Sequence, residues 1–348
     1  MKKDVTIIGA GLSGMTAGII LAREGYKVNI LDAEKKIGGS PKLHPSVHTT
    51  PCQLEELIDY VGFDLNEGFI KCDPYPRFYY KKKLLKFPPY VKHNTAYSVE
   101  RGPRPTSIDN HLFRIAVDAG VVFDFGKRMK FEDLKPGTIL ATGLNPKGYE
   151  KLRIEYRKIY GYWSSREIKA KNASAEVFMG PFTNDYGYTS QVNGLDYSLL
   201  FSHREITKKD LADYLKMLDA VGIEKYPTPW IKEEMGIPAE PKLFMNDLVL
   251  AGTLSGMIEP FWGYGIVGAI ISGGIAAKTV INPEAGIADY NMFTRGFKKK
   301  MLRRDKFSNQ SDFMRGFLTK AGLYYARLQC VFNKKLAQSP REPLRWFR

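Results

Sequence analysis

Apolar and polar positions change period along this chain, and each change marks an element. The apolar run Asp4-Val5-Thr6-Ile7-Ile8 reads as a strand; it enters Gly9-Ala10-Gly11-Leu12-Ser13-Gly14 and then a helical stretch over 15–24. After Gly25 a second strand, 27–31, ends on Asp32. A short amphipathic helix is predicted over 53–62, because Leu54, Leu57, Ile58 and Val61 share one face. Residues 69–71 and 77–80 read as strands, with a hairpin turn at Lys81-Lys82-Lys83. Alternation predicts further strands over 149–163, 175–179, 186–189 and 197–202. A helix follows over 208–221, with Thr207 as N-cap and Gly222 as C-cap. A late strand, 247–250, runs through Ala251-Gly252-Thr253 towards a helix over 266–280.

The first of these transitions carries chemistry. Gly9, Gly11 and Gly14 form G-x-G-x-x-G between strand and helix, and Asp32 sits at the tip of the next strand. Gly9 allows the tight turn, Gly11 lets a pyrophosphate approach the backbone, and Gly14 lets helix and strand pack closely. The N–H groups of Leu12 and Ser13 open the helix, whose positive end favours phosphate. Asp32, followed by Ala33, is placed to accept hydrogen bonds from a ribose. A Gly-rich turn that binds nothing would leave Asp32 unexplained, so a bound dinucleotide is expected.

Which dinucleotide depends on later segments. Ile37-Gly38-Gly39 follows Asp32 closely, and the late strand leads to Glu259-Pro260-Phe261-Trp262-Gly263-Tyr264-Gly265 and the helix opening at Ile266. Between them lie Val99-x-Arg101, then Asp109 and Leu112 ahead of Ala119-Gly120, and the strand end Ala141-Thr142-Gly143. With these segments the chain resembles the FAD-dependent oxidoreductases of the aromatic-hydroxylase and geranylgeranyl-reductase group, over residues 4–280. The resemblance implies FAD. Gly9, Gly11, Leu12, Ser13, Gly14, Asp32, Ala33, Gly39, Arg101, Ala141, Thr142 and Gly143 would serve its ADP half and the return to it. Gly252, Thr253, Gly263, Gly265 and Ile266 would serve its ribityl chain and ring. Phe261, Trp262, Tyr264 and Tyr188 are the expected substrate-pocket walls. Thr50-Pro51-Cys52 resembles the proline–cysteine segment that geranylgeranyl reductases place beside the flavin; a cysteine at a helix start would have a lowered pKa, which makes Cys52 the candidate catalytic residue, against the alternative of a small buried residue without a role.

Two departures matter. The group has Gly-Asp where this chain has Gly252-Thr253, and a threonine cannot make a charged hydrogen bond to the ribityl chain. Aromatic hydroxylases also carry an Asp-Gly fingerprint where this chain has Leu144-Asn145, which favours the reductase side of the group.

The expected fold is α/β: a Rossmann-like three-layer FAD-binding domain, a β-sheet-rich substrate domain and a helical C-terminal region. Its segments are 1–70, 101–148 and 241–285 for the cofactor, 71–100 and 149–240 for the substrate, and 286–348 as a basic tail. The expected reaction is reduction of a carbon–carbon double bond on a lipid-like or isoprenoid substrate. The alternatives are a flavin monooxygenase, a flavin-dependent RNA-modifying or RNA-binding protein, and a non-redox cyclase or mutase.

Composition adds the question of partners. The 3 cysteines include no CxxC, and no Gly-x-Ser-x-Gly elbow occurs, so the cofactor is expected to carry the reaction. His44 and His48 are four apart in a Pro/Ser/Thr-rich stretch unsuited to a helix, and no metal site is expected there. The chain opens almost at once on a strand, so no signal peptide is expected and a cytoplasmic location fits. Residues 260–277 carry no charge but contain five glycines and start at a proline, which suits a buried helix better than a membrane span. Residues 290–348 hold 15 Lys and Arg against 3 Asp and Glu, most of the formal net charge of +15. In that tail Phe297 and Met301, and then Phe313 and Phe317, recur at helical spacing among the charges. All four are expected on one apolar, lipid-facing surface at an anionic membrane, with the enzyme peripheral on its inner face. An acidic electron donor such as a ferredoxin is a further candidate partner, and nucleic acid ranks below both.

Overall fold

The computed structural model describes residues 3–88 and 94–332. Its elements in chain order are β1 (Asp4–Ile8), α1 (Leu12–Arg23), β2 (Lys27–Asp32), β3 (Ser46–Pro51), α2 (Leu54–Val61), β4 (Ile70–Lys71), β5 (Arg77–Tyr80), β6 (Lys83–Leu84), β7 (Ala96–Arg101), α3 (Ile108–Asp118), β8 (Val122–Phe125), β9 (Ile139–Leu140) and α4 (Pro146–Leu152). They continue with β10 (Tyr156–Glu167), β11 (Ser174–Met179), β12 (Tyr186–Val192), β13 (Leu195–Ser202), α5 (Lys208–Ala220), β14 (Ile231–Pro238), β15 (Phe244–Met245), β16 (Leu248–Leu250), α6 (Ile266–Ile281), α7 (Pro283–Thr294), α8 (Phe297–Ser308) and α9 (Asp312–Phe332).

Six strands form the cofactor-side sheet in the order β15-β16-β9-β1-β2-β8, parallel except for β15. Neighbouring residues of its central strands point into different cores. Ile7, Ile139 and Val249 join α1, α3 and α6 on one face; Ile8, Leu140 and Leu250 meet Tyr149, Ile154 and Leu254 on the other. Burial on both faces explains why Ile7-Ile8 is a continuous apolar run and not an alternating one. The expected Rossmann-like layering is present.

The substrate-side sheet has seven strands, β14-β10-β13-β12-β11-β5-β6. Here alternation does divide the faces. Tyr197, Leu199 and Phe201 of β13 enter one core, with Tyr186 and Tyr188 of β12; Leu200 enters the other, under α5 with Tyr214 and Leu218. A third sheet, β3-β7-β4, lies between the two, and β3 is laid against β12 and β13.

One predicted strand was too long. Residues 146–152 are helical because Asn145 caps α4, its side chain accepting from the Lys147 N–H at 3.0 Å, with Pro146 in the first turn. The helix over 208–221 has the predicted Thr207 N-cap, in a full capping box with Asp210.

Candidate functional site

The glycine turn is built by close approach. A Cβ on Gly14 would stand 1.9 Å from the Gly9 carbonyl oxygen, and one on Gly9, at φ +109°, would stand 2.4 Å from the Ala141 carbonyl oxygen. Gly11 differs: a Cβ there would meet nothing within 4 Å. Gly11 is also the N-cap of α1, and no side chain caps that helix, so the first-turn N–H groups of Leu12, Ser13 and Gly14 are left without a side-chain acceptor beside the open space at Gly11. Asp32 fixes the turn from below. One carboxylate oxygen accepts from Ala10 N–H at 2.6 Å and the other from Glu34 N–H at 2.8 Å. Ala33 and Gly39 are exposed beside it. This cradle fits a pyrophosphate between two nucleoside halves.

The second half of the cradle converges on the first. A Cβ on Gly252, at φ +71°, would stand 2.7 Å from Ser13 Oγ, and one on Gly273 of α6 would stand 2.5 Å from the Ser13 carbonyl oxygen. The N-terminus of α6, at Gly265 and Ile266, is likewise uncapped by any side chain. Thr253 Oγ1 lies near it, 3.9 Å from where a Gly265 Cβ would be. At the end of β9 the Thr142 hydroxyl is buried without a hydrogen-bond partner among the described residues, and Gly143 has open space above it. Two helix starts without side-chain caps around one cleft suit a ligand with phosphates and many hydroxyls, whereas the Thr142 hydroxyl packs against Gly148 of α4, 3.2 Å from where a Cβ would be.

Arg101 sits at the edge of this cleft, held by a two-point ion pair to buried Asp109 at 2.8 and 2.9 Å. Burial alone would raise the Asp109 pKa, but the Arg101 charge and hydrogen bonds outweigh it and hold the carboxyl below the usual range.

The aromatic loop is anchored by residues that the sequence did not single out. Buried Glu259 accepts from the N–H groups of Phe261 at 3.0 Å and Trp262 at 2.6 Å. Arg304 of α8 donates to the carbonyls of Pro260 and Phe261 at 3.0 and 2.9 Å and pairs with Asp185. The Tyr186 hydroxyl donates to the Trp262 carbonyl. The loop carrying Phe261, Trp262 and Tyr264 is therefore held against the tyrosine face of the substrate sheet, where Tyr186 and Trp262 rings lie 6.0 Å apart.

From that face a hydrogen-bonded chain runs back towards the cofactor cleft. The Tyr188 hydroxyl is 2.6 Å from His48 Nδ1; His48 Nε2 is 2.9 Å from Ser46 Oγ; Ser46 Oγ is 2.8 Å from His44 Nδ1. His44 ends at the Gly38-Gly39 turn, its Nε2 lying 3.2 Å from where a Gly39 Cβ would be. Burial holds both histidines down to about 3; the Arg101 charge adds to the effect at His44, and His44 and then Arg101 add to it at His48. Both imidazoles are neutral at physiological pH. Burial and the neighbouring Tyr197 and Tyr186 push Tyr188 well above the usual tyrosine range.

A pH dependence follows. The unfolded chain takes up protons at both histidines below about pH 6.5, whereas the folded chain does so only near 3. Stability therefore falls as pH falls through that window, by up to about 1.4 kcal/mol per pH unit for each histidine. Urea midpoints measured at neutral and mildly acid pH check this, and the acid loss is expected to shrink in His44→Gln.

The lowered pKa expected for Cys52 is overturned. Its side chain is buried in the cofactor-domain core with Leu54, Leu57 and Val99, and burial followed by the nearby Glu56 pushes the thiol up to about 12. Glu55 and Glu56 occupy the first turn of α2 and offset its positive end. Cys52→Ala is expected to keep its turnover and lose about 1 kcal/mol or less of stability, the loss of a small buried side chain, as read by denaturant titration and steady-state kinetics.

The basic tail divides. Phe297 and Met301 of α8 are 4 % and 3 % exposed and join the substrate-side core. They do not face outward as expected, because Arg304 and Lys300 on the same helix turn inward to the aromatic loop. Phe313 and Phe317 of α9 are exposed.

Comparison with known proteins agrees with this geometry. Residues 7–49 match the family model described as NAD(P)-binding Rossmann-like domain. An L-amino-acid oxidase of Sistrurus catenatus edwardsii is 32 % identical over 106 residues, 26 % of this chain and 20 % of the relative. A 4,4'-diaponeurosporene oxygenase of Staphylococcus aureus is 34 % identical over 70 residues, 17 % of this chain and 14 % of the relative. The chain thus matches a fifth or less of the length of these curated relatives. Solved structures align over nearly the whole chain. A geranylgeranyl bacteriochlorophyll reductase-like protein of Thermoplasma acidophilum has TM-score 0.67 at 16 % identity, covering 96 % of this chain and 97 % of that one. The p-nitrophenol 4-monooxygenase of Pseudomonas putida has TM-score 0.63 at 13 % identity, covering 98 % and 99 %. CtdE in complex with FAD has TM-score 0.56 at 14 % identity, covering 97 % and 100 %. Residues 7–49 thus form a Rossmann-like dinucleotide-binding unit, and the fold of the chain is the one seen in the geranylgeranyl reductase-like and p-nitrophenol 4-monooxygenase structures.

Proposed function

We propose that the protein is an FAD-dependent oxidoreductase that reduces a carbon–carbon double bond of a lipid-like, isoprenoid-type substrate. The observation that carries the reaction is the Tyr188–His48–Ser46–His44 chain, which links the aromatic face of the site to the cofactor cleft. Bound and reduced, FAD supplies a hydride to one alkene carbon. The other carbon needs a proton, and Tyr188 is the group placed to deliver it. Its raised pKa makes it a poor acid by itself. A concerted shift along the chain avoids forming a tyrosinate: His48 Nδ1–H passes to the Tyr188 oxygen, Ser46 O–H to His48 Nε2 and His44 Nδ1–H to Ser46, while solvent water protonates half-buried His44 at Nε2. Tyr186, Trp262 and Tyr264 wall the site with aromatic surface that excludes water and suits an apolar chain. The 4,4'-diaponeurosporene in the name of the Staphylococcus aureus relative is compatible with this substrate class.

The whole-chain likeness to a monooxygenase keeps one second reading, hydroxylation. Against it, Leu144 and Asn145 are committed to structure. The Leu144 carbonyl accepts from Gly236 N–H at 2.8 Å and Asn145 caps α4, so no carboxylate is presented where the hydroxylases have one. The test is to reduce the holoprotein by light without oxygen, mix it with a geranylgeranyl-chain lipid, with and without oxygen, and weigh the product. A lipid that gains two hydrogen atoms supports reduction, and one that gains an oxygen atom replaces it with hydroxylation.

A further inference from the structure

The last described helix has two unlike faces. One turn of α9 is fastened to the substrate sheet: the Tyr80 hydroxyl donates to Asp312, Arg315 donates to the Thr183 carbonyl at 2.9 Å, and Gly316 lies so close to the Tyr80 ring that a Cβ would stand 2.5 Å from it. The opposite face touches nothing described. At 100° per residue, Phe313, Val331, Tyr324, Phe317, Met314, Phe332, Tyr325 and Leu318 fall within one arc of about 140° that holds no charged residue. All eight are exposed, with Phe313 at 80 % and Phe332 at 86 %. The helix has 21 residues, so the arc runs along about 31 Å of surface. That is far more exposed apolar area than a monomer's surface carries without a use.

Charge borders the arc from two parts of the chain. Lys320 and Arg327 lie along one edge of it on the helix itself. The β5–β6 hairpin brings Lys81, Lys82 and Lys83 to the N-terminal end, where Lys81 pairs with Asp312 at 3.0 Å, and Leu84 beside them is exposed as well. The region from residue 290 onward supplies most of the net charge of the chain. No described helix is long and apolar enough to cross a membrane. An apolar stripe with a basic border that cannot span suits the boundary between headgroups and acyl chains.

We propose that α9, with the Lys81–Leu84 hairpin, is a docking surface for an anionic lipid bilayer, into which Phe313, Phe317 and Tyr324 insert while the lysines meet lipid phosphates. This surface excludes α8, whose Phe297 and Met301 are buried in the enzyme. It stands independently of which reaction the flavin site performs. A second copy of the chain fits less well, because pairing two such surfaces would bring their basic borders together.

The test is sedimentation of full-length holoprotein with vesicles of phosphatidylcholine alone and of phosphatidylcholine mixed with phosphatidylglycerol, at low and high salt. Wild type is expected to bind the anionic vesicles and to keep a bound fraction at high salt, since screening removes the charge contribution and leaves apolar insertion. Each of Phe313→Ser, Phe317→Ser and Tyr324→Ser is expected to weaken partitioning about tenfold. Lys82→Glu with Lys83→Glu should lower binding at low salt only. These positions are at the surface, and circular dichroism with flavin content confirms folding. The proposal is overturned if wild type stays in the supernatant with anionic vesicles, or if the protein carrying Phe313→Ser, Phe317→Ser and Tyr324→Ser together binds as tightly as wild type. It is also overturned if ultracentrifugation finds a dimer that Phe317→Ser splits, or if the protein binds RNA or an acidic protein with complete release at high salt and no vesicle binding.

Discussion

Gly11→Val is expected to give folded, colourless protein. The reason lies in how differently the three glycines of the turn are used. Alanine at position 14 would drive a Cβ to 1.9 Å from the Gly9 carbonyl, and at position 9 to 2.4 Å from the Ala141 carbonyl, so those variants damage the sheet itself. Position 11 has open space and an ordinary φ of −83°, so a valine can be accommodated without strain. What it fills is the space above the uncapped first turn of α1, where a pyrophosphate would accept from Leu12, Ser13 and Gly14 N–H groups. Charge-assisted bonds of that kind contribute about 1.5–3 kcal/mol each, so losing two or more weakens FAD binding by at least about a hundredfold. Flavin absorbance, together with unchanged circular dichroism and urea midpoint, checks it. A Gly11→Val protein that stays yellow would place the pyrophosphate elsewhere.

The second large effect is expected at the proton chain. Tyr188→Phe keeps the ring and removes only the hydroxyl; His48→Gln keeps a hydrogen-bonding side chain but cannot pass a proton between its two ends. Each is expected to retain FAD and its reduction while lowering turnover by about 10²–10⁴-fold, the usual worth of a positioned general acid. Because Tyr188 and His48 act as one unit, the double variant should be little worse than either single one. A solvent deuterium isotope effect separates this role from a structural one. It should be present on the product-forming step of wild type and altered in both variants. Full turnover by Tyr188→Phe would assign the proton to another donor.

The dinucleotide turn was legible because it is local: three glycines, one strand and one acid within 34 residues specify the geometry by themselves. The proton chain was not, although its signal was present. His44 and His48 stand at helical spacing in the sequence, in a stretch unsuited to a helix. In a strand the relevant period is two, which puts Ser46 and His48 of β3 on one face, and the turn ahead of the strand returns His44 to Ser46. Choosing the right period required knowing that β3 pairs with β7, a partner about fifty residues away.

The direction of the Cys52 pKa shift was hidden for a different reason. A helix start and burial act on a thiol with opposite sign, and a sequence shows the first without the second. Here burial is the larger effect and Glu56 adds to it. The tail shows the same limit on a larger scale. Phe297–Met301 and Phe313–Phe317 have identical spacing and similar charged surroundings. Periodicity reports that a helix has an apolar face, not what covers it. Asp185 and Glu259, far away in sequence, are what turn Arg304 and Lys300 inward and bury the face of α8.

The most direct test of the cofactor assignment is the flavin stoichiometry of the wild-type chain, measured by titrating flavin-stripped, folded protein with FAD in a calorimeter while recording its visible spectrum. The account predicts saturable binding of one FAD per chain, with a resolved protein-bound flavin spectrum and a higher urea midpoint as FAD is added. Folded protein that takes up no FAD, and gains no stability from it, would contradict the account.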